Sequence, residues 1–139
     1  MSLTEVIKLT KQLNILYVED EEISQELYAS IFSDLFLNVD VASDGIEALE
    51  QYSKKSFDIV ISDICMPNMD GIELCKIILE KKPSQPIIIM SAHNEDDKLD
   101  QIIKLGIKSI LLKPIQNDDL MTVLTQIAQV VIEEKKVKH

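Results

Sequence analysis

The stretch FDIVISDICMPNMDG, Phe57 to Gly71, decides the architecture. Its apolar run, Ile59 to Ile61, gives way to an acid, Asp63, and a turn-rich segment with Pro67, Asn68, Asp70 and Gly71 follows at once. A short apolar run bounded by turn signals reads as a strand buried on both faces, the pattern of a parallel sheet covered by helices. Asp63 then stands at the carboxyl end of the strand, the edge where open α/β sheets bind ligands. Taken alone, the same acid reads equally well as a helix cap or a loop initiator. The flanking chain separates the two.

Toward the N-terminus, NILYV (14–18) is another short apolar run, and it ends on Glu19, Asp20, Glu21 and Glu22. Ile23, Leu27, Ile31 and Leu35 then recur in steps of four, so strand, loop and helix follow one another. Glu21 and Glu22 suit the first turn of that helix through its dipole. Glu19 and Asp20 come earlier, at the strand's carboxyl end, on the same edge as Asp63 if the strands are parallel neighbours. Asn38 to Ala42 alternates polar and apolar, as an edge strand with one wet face does. Ser43 and Asp44 can cap a helix carrying Ile46, Leu49 and Tyr52. Residues 1–13, with Leu3, Val6, Ile7 and Leu13 apolar, fit either a short amphipathic helix or a lead-in.

Toward the C-terminus, Ile72, Cys75, Ile78 and Leu79 keep helical spacing until Pro83 ends the helix. Ile87 to Met90 is a further apolar run that ends at Ser91. Asn94 is placed as the N-cap of a helix with Leu99, Ile102 and Leu105 on one face, stopped at Gly106. Ile107 to Leu112 is a fifth strand, ending at Lys113-Pro114. A final helix starts at Asn117 or Asp118 and turns Leu120, Leu124, Ile127 and Val131 inward. Five strands alternating with five helices over short connections make a three-layer α/β sandwich around a parallel sheet. The domain spans 14–131, with 1–13 an extension and 132–139 a tail or the start of a linker.

Composition sets the outer bounds. The chain has 139 residues, 46% hydrophobic and 27% charged, with a formal net charge of −10 and a pI near 4.6. That is one domain with a real core, and it lacks the basic face that a phosphate backbone demands, so direct nucleic-acid binding is not expected. No apolar run approaches the length of a membrane span, and the start MSLTEVIKLTKQLN lacks a secretory signal's apolar core, so a cytoplasmic location is expected. Cys65 and Cys75 have neither zinc-ligand spacing nor disulfide-scaffold density and read as free thiols.

Glu19, Asp20 and Asp63, if they converge, repel one another, and a divalent cation removes the conflict. With only oxygen donors at hand a hard ion is implied, Mg²⁺ with Mn²⁺ as a substitute, rather than zinc or copper. Ser91 and Lys113 at neighbouring strand ends add a hydroxyl and an ammonium. Together these groups form a cradle for a phosphoryl group, with Asp63, which stands apart from the Glu19–Asp20 pair, as the nucleophile.

The ordered set ILYVEDEE, FDIVISDICMPNMDG, IIIMSAH and ILLKP resembles the receiver domain of two-component response regulators over roughly residues 14–131. The resemblance implies a flavodoxin-like, five-stranded sheet in the order 2-1-3-4-5. It implies phosphorylation of Asp63 by a histidine kinase or histidine phosphotransfer protein, with slow self-catalysed hydrolysis, so that the chain is a signalling acceptor rather than an enzyme. Asp20 becomes a metal ligand, Glu19 a second acid acting largely through water, and the main-chain carbonyl of Cys65 a further ligand. Ser91 follows the phosphoryl group and Lys113 is its ion-pair partner. The Lys113-Pro114 bond is expected to be cis. An effector domain or downstream partner, and a homodimer through the fourth and fifth of the five helices, belong to the same expectation. His93 falls where a side chain can modulate the approach of water. The chain departs from the family at Ile110, where a Tyr or Phe usually stands; a branched aliphatic packs inward but cannot swing a ring, which puts the usual output switch in doubt. Two other readings are a pseudo-receiver that binds partners without phosphorylation and a haloacid-dehalogenase-like phosphohydrolase. Against the second, Cys65 occupies the position two after the nucleophile, where those enzymes carry a second Asp.

Overall fold

The computed structural model describes residues 2–92 and 96–137. In chain order the elements are α1 (Leu3–Thr10), β1 (Asn14–Val18), α2 (Glu22–Leu35), β2 (Asn38–Ala42), α3 (Gly45–Lys54), β3 (Ile59–Asp63), α4 (Gly71–Lys81), β4 (Ile87–Ser91), α5 (Asp96–Lys104), β5 (Ser109–Leu112) and α6 (Asn117–Val137). The sheet is parallel throughout, in the order β2-β1-β3-β4-β5. Every residue of β3 and of β4 is buried, whereas β2, at an edge, is only partly so. This is the expected three-layer sandwich, with the strand bearing Asp63 at its centre.

Alternate strand residues serve the two faces. Ile15, Tyr17, Ile59, Ile61, Ile88 and Met90 pack with α1, α2 and α6, while Leu16, Val18, Val60 and Ile89 pack with α3, α4 and α5. A buried strand flanked by helices on both sides has no wet face, which is why its sequence reads as a continuous apolar run. The helices start on the caps the sequence offers: Asp44 accepts from the Glu47 N–H at 2.8 Å and Asp70 from the Glu73 N–H at 3.0 Å. Gly106, with φ of 89°, closes the turn after α5 in the left-handed region that glycine tolerates best.

One expectation is corrected. There are six helices among the described residues, not five, because residues 3–10 form α1, capped by Ser2 and packed by the fully buried Val6 and Thr10 on the side of α2 and α6. The aromatics set the inward face of α2. Ile23, Leu27 and Ile31 are 75%, 55% and 37% exposed, while Tyr28 and Phe32 face the core. Steps of four on a helix of 3.6 residues per turn rotate by about 40° each. The stripe therefore starts on the outer surface and reaches the inner face only at Leu35, which packs against the core. Ile46 is likewise exposed, and Ala48, Leu49 and Tyr52 take the inward side of α3.

Helix α6 runs on to Val137, through most of the segment expected to be a tail. Lys82 pairs with its Glu134 at 3.4 Å and Lys135 with Asp58 at 3.5 Å. Partly exposed pairs of this kind contribute little to stability.

Candidate functional site: an acid and lysine rim at the carboxyl edge

β1 and β3 are hydrogen-bonded neighbours, so the residues at their carboxyl ends meet. Asp63 is the last residue of β3, and Glu19 follows β1, where its N–H donates to the Ala42 carbonyl at 3.0 Å. Glu19 is fully buried and Asp63 nearly so, while Asp20 is exposed. One carboxylate oxygen from each of Glu19, Asp20 and Asp63 lies within 4.8 Å of the others. Ser91 ends β4, fully buried, with its hydroxyl donating to the Ala92 carbonyl at 3.0 Å. Its own carbonyl accepts from the Lys113 N–H at 2.8 Å, which brings the residue after β5 to the same rim.

Lys113 completes the charge pattern. Its ammonium lies 2.7 Å from Glu19 Oε1 and 2.9 Å from Asp63 Oδ2, bridging two buried acids. Burial pushes the Asp63 carboxyl up, the Glu19 carboxyl pushes it further, and Lys113 works against both, leaving it at about 7. Burial opposes the charge on Lys113, but its hydrogen bonds and charge contacts with Glu19 and Asp63 outweigh that, so its pKa lies above the ordinary lysine value. Three acids against one cation leave the rim negative. All the side-chain donors are oxygens, a set that suits a small hard cation such as Mg²⁺ held partly through water. The groups that line the rim thus combine three carboxylates, a hydroxyl and an ammonium.

The loop between β3 and α4 holds Asp63 at that rim. The Gly71 N–H donates to the Ile64 carbonyl at 2.6 Å, and Asn68, at φ 66°, donates from its amide to Asp44 Oδ2 at 2.8 Å. A Cβ on Gly71 would overlap the Asp63 carbonyl oxygen and sit 2.9 Å from Ile64 Cα, so only glycine lets α4 start this close to the strand end. Cys65, two residues past Asp63, is half-buried, and its Sγ accepts from Lys98 Nζ of α5 at 3.1 Å. Cys75 is buried in the core, where burial pushes its thiol up to about 12.

The expected site residues Glu19, Asp20, Asp63, Ser91 and Lys113 are therefore gathered on one edge, with Cys65 in the adjoining loop. The Lys113-Pro114 bond is cis. Ile110 is half-buried and packs toward the side of α3, α4 and α5. His93 and the cap residue Asn94 lie outside the described residues. The sequence offered no signal for two neighbours of the rim. Lys98 approaches from α5, and Tyr28 of α2 accepts at its hydroxyl the Ile115 N–H, at 3.4 Å. Both contacts join segments far apart in the chain.

The chain is similar to known proteins in both sequence and fold. The family model for the response regulator receiver domain matches residues 15–125. The sensor protein EvgS of Escherichia coli is 33% identical over 133 residues, covering 96% of this chain and 11% of EvgS. The regulator of RpoS of the same species is 35% identical over 103 residues, covering 74% of this chain and 31% of the relative. Thus the chain spans between about a tenth and a third of the length of these relatives. Among solved structures, a response regulator receiver domain protein from Clostridium thermocellum superposes with a TM-score of 0.76 at 26% identity, covering 91% of this chain and 99% of that one. The N-terminal domain of a protein from Wolinella succinogenes does so with a TM-score of 0.79 at 31% identity, over 88% and 98%. Sheet order, rim chemistry and a family match over residues 15–125 agree, and the chain belongs to the response regulator receiver domains of two-component systems.

Proposed function

We propose that this domain accepts a phosphoryl group on Asp63 from a histidine kinase or a histidine phosphotransfer protein, in a reaction that requires Mg²⁺. The observation that carries the reading is the meeting of Glu19, Asp20 and Asp63 oxygens within 4.8 Å, with the Lys113 ammonium 2.9 Å from Asp63. Glu19, Asp20 and Asp63, with the main-chain carbonyl of Cys65, would hold the cation. Bound there, it would screen the acids from one another and offset negative charge on the transferring group.

The side chains supply the rest. An Asp63 carboxylate oxygen attacks phosphorus as the bond from phosphorus to the donor imidazole nitrogen breaks, and the nitrogen keeps the electron pair. The product is an acyl phosphate on Asp63 and a free donor histidine. Lys113, already paired with Asp63, swings its ammonium to pair with a phosphoryl oxygen, and the Ser91 hydroxyl turns from the Ala92 carbonyl to donate to another. Hydrolysis by water restores the carboxylate. This self-catalysed cycle makes the domain a signalling acceptor rather than an enzyme acting on an external substrate, and the cytoplasm is its place of work.

The donor protein docks on the outward face of α2. Ile23, Leu27 and Ile31 form an exposed apolar stripe that begins beside Glu19 and Asp20 and runs down the helix. An apolar stripe that starts at a reactive edge and has no core to fill suits a helical partner.

Incubation with acetyl phosphate and Mg²⁺ tests the reading by intact mass. One phosphoryl group per chain, labile to base and absent both in Asp63→Asn and on chelation, is the expected result. No mass increase, or an increase that survives Asp63→Asn, overturns it.

A further inference from the structure

Lys113 sits at the start of the loop between β5 and α6, and that loop and the first turn of α6 are largely exposed: Pro114, Gln116, Asn117, Asp118 and Asp119 all face solvent. A lysine that must hold two carboxylates at 2.7 and 2.9 Å needs its backbone fixed, because its side chain is long and has many rotamers. The Ser91 carbonyl fixes the Lys113 N–H. Two residues on, the Ile115 N–H donates to the Tyr28 hydroxyl of α2 at 3.4 Å, a bond that spans 87 positions of the chain. Tyr28 is 7% exposed, and its ring lies against Phe32 with centroids 6.4 Å apart and planes at 25°. Phe32 in turn meets the ring of Tyr17 on β1 edge-on at 5.1 Å. The phenol oxygen is therefore held by packed rings at a set point beneath the rim.

We propose that Tyr28 is a positioning residue for Lys113. Its hydroxyl fixes the loop at Ile115, and so keeps the ammonium between Glu19 and Asp63 and, after transfer, on the phosphoryl group. The inference rests on the reading of Asp63 as phosphoacceptor, but the geometry it depends on exists before any transfer. The helix that offers the donor its outward face thus braces the catalytic lysine with its inward face.

The test uses the full chain with Tyr28→Phe, which keeps the ring and removes the oxygen. A bond worth about one net hydrogen bond sets the scale of loss. At saturating Mg²⁺ the rate of phosphorylation by acetyl phosphate should fall about fivefold. Without metal or donor, the Lys113 side-chain signal in a lysine-labelled NMR spectrum should move toward those of the exposed lysines. In a Lys113→Ala background the same substitution should change the rate less than about twofold. Phe32→Leu, which loosens the stack but leaves the hydroxyl, serves as the packing control: it should lower the melting temperature more than it lowers the rate. An unmoved Lys113 signal, or an equal loss of rate with and without Lys113, overturns the proposal. If the wild-type chain takes up no phosphoryl group, the functional reading falls separately, and the metal-free Lys113 signal still decides on Tyr28.

Discussion

A carboxylate that attacks phosphorus must be ionised, and Asp63 lies where ionisation is opposed. Burial and Glu19 raise its pKa to about 7 while Lys113 pulls it down. In the unfolded chain the same group ionises near the ordinary aspartate value, about 4. Between those two values folding takes up a proton, so each rise in pH removes stability, and the loss is complete above about pH 7. Asp63→Asn cannot ionise. After allowance for the screening that solvent provides at a rim, it should stabilise the fold by about 1 to 2 kcal/mol near pH 8 and by almost nothing near pH 4. Denaturant unfolding at the two pH values checks this; an equal effect at both would mean that the charge on Asp63 carries no cost. Gly71 gives a second prediction at this scale. Gly71→Ala forces a Cβ onto the Asp63 carbonyl, so stability should drop by about 2 to 4 kcal/mol and acetyl phosphate labelling should fall with it. A variant of unchanged stability and labelling would show that the loop gives way easily. The acids, Ser91 and Lys113 were legible in the sequence because each ends a strand, and strand ends in a parallel sheet share an edge. Tyr28 and Lys98 were not, because a contact between elements 87 or 33 positions apart leaves no local pattern.

Helix α2 shows what periodicity can and cannot decide at the scale of an element. Its apolar residues recur at helical spacing on two stripes, and spacing alone does not say which one faces the sheet. Bulk settles it: Tyr28 and Phe32 fill the space over Tyr17, leaving the smaller aliphatics outside. Helix α1 was left open for a similar reason, since eight residues carry too little pattern to tell a packed helix from a frayed one. The outward stripe supports a prediction that separates folding from recognition. Leu27, at 55% exposure, has no core to support. Leu27→Asp should leave the unfolding free energy within about 0.5 kcal/mol of wild type and leave acetyl phosphate labelling unchanged. Transfer from a phosphorylated histidine domain should slow about tenfold or more, because one buried hydrophobic contact at an interface centre carries that much. Stopped-flow transfer kinetics read the difference. Equal rates from the protein donor would place docking elsewhere.

Over the whole molecule, the question is how a charge added at one edge is felt at another surface when position 110 holds no ring. Ile110 packs in the same cluster as Leu99, Ile102 and Leu105 of α5 and its C-terminal turn, so it can transmit a shift of that helix but cannot exchange a side chain between solvent and pocket. One direct link between the β3–α4 loop and α5 exists in the contact of Lys98 with Cys65, two residues past Asp63. Under the proposed function, a phosphoryl group on Asp63 would draw Ser91 and Lys113 toward it and add negative charge beside the loop that Lys98 contacts, biasing the position of α5 without a ring flip. Two consequences follow for the chain with Mg²⁺ and beryllofluoride, the phosphoryl mimic. Amide shift changes should extend beyond the rim into residues 96–104 and the β5 residues beside Ile110. Cys65→Ala should shrink the α5 changes by half or more, while those at Asp63, Glu19 and Lys113 persist. Changes confined to the rim in the wild-type chain would mean that this domain takes up the charge without passing it on, and unaltered α5 changes in Cys65→Ala would route the signal through Ser91 instead.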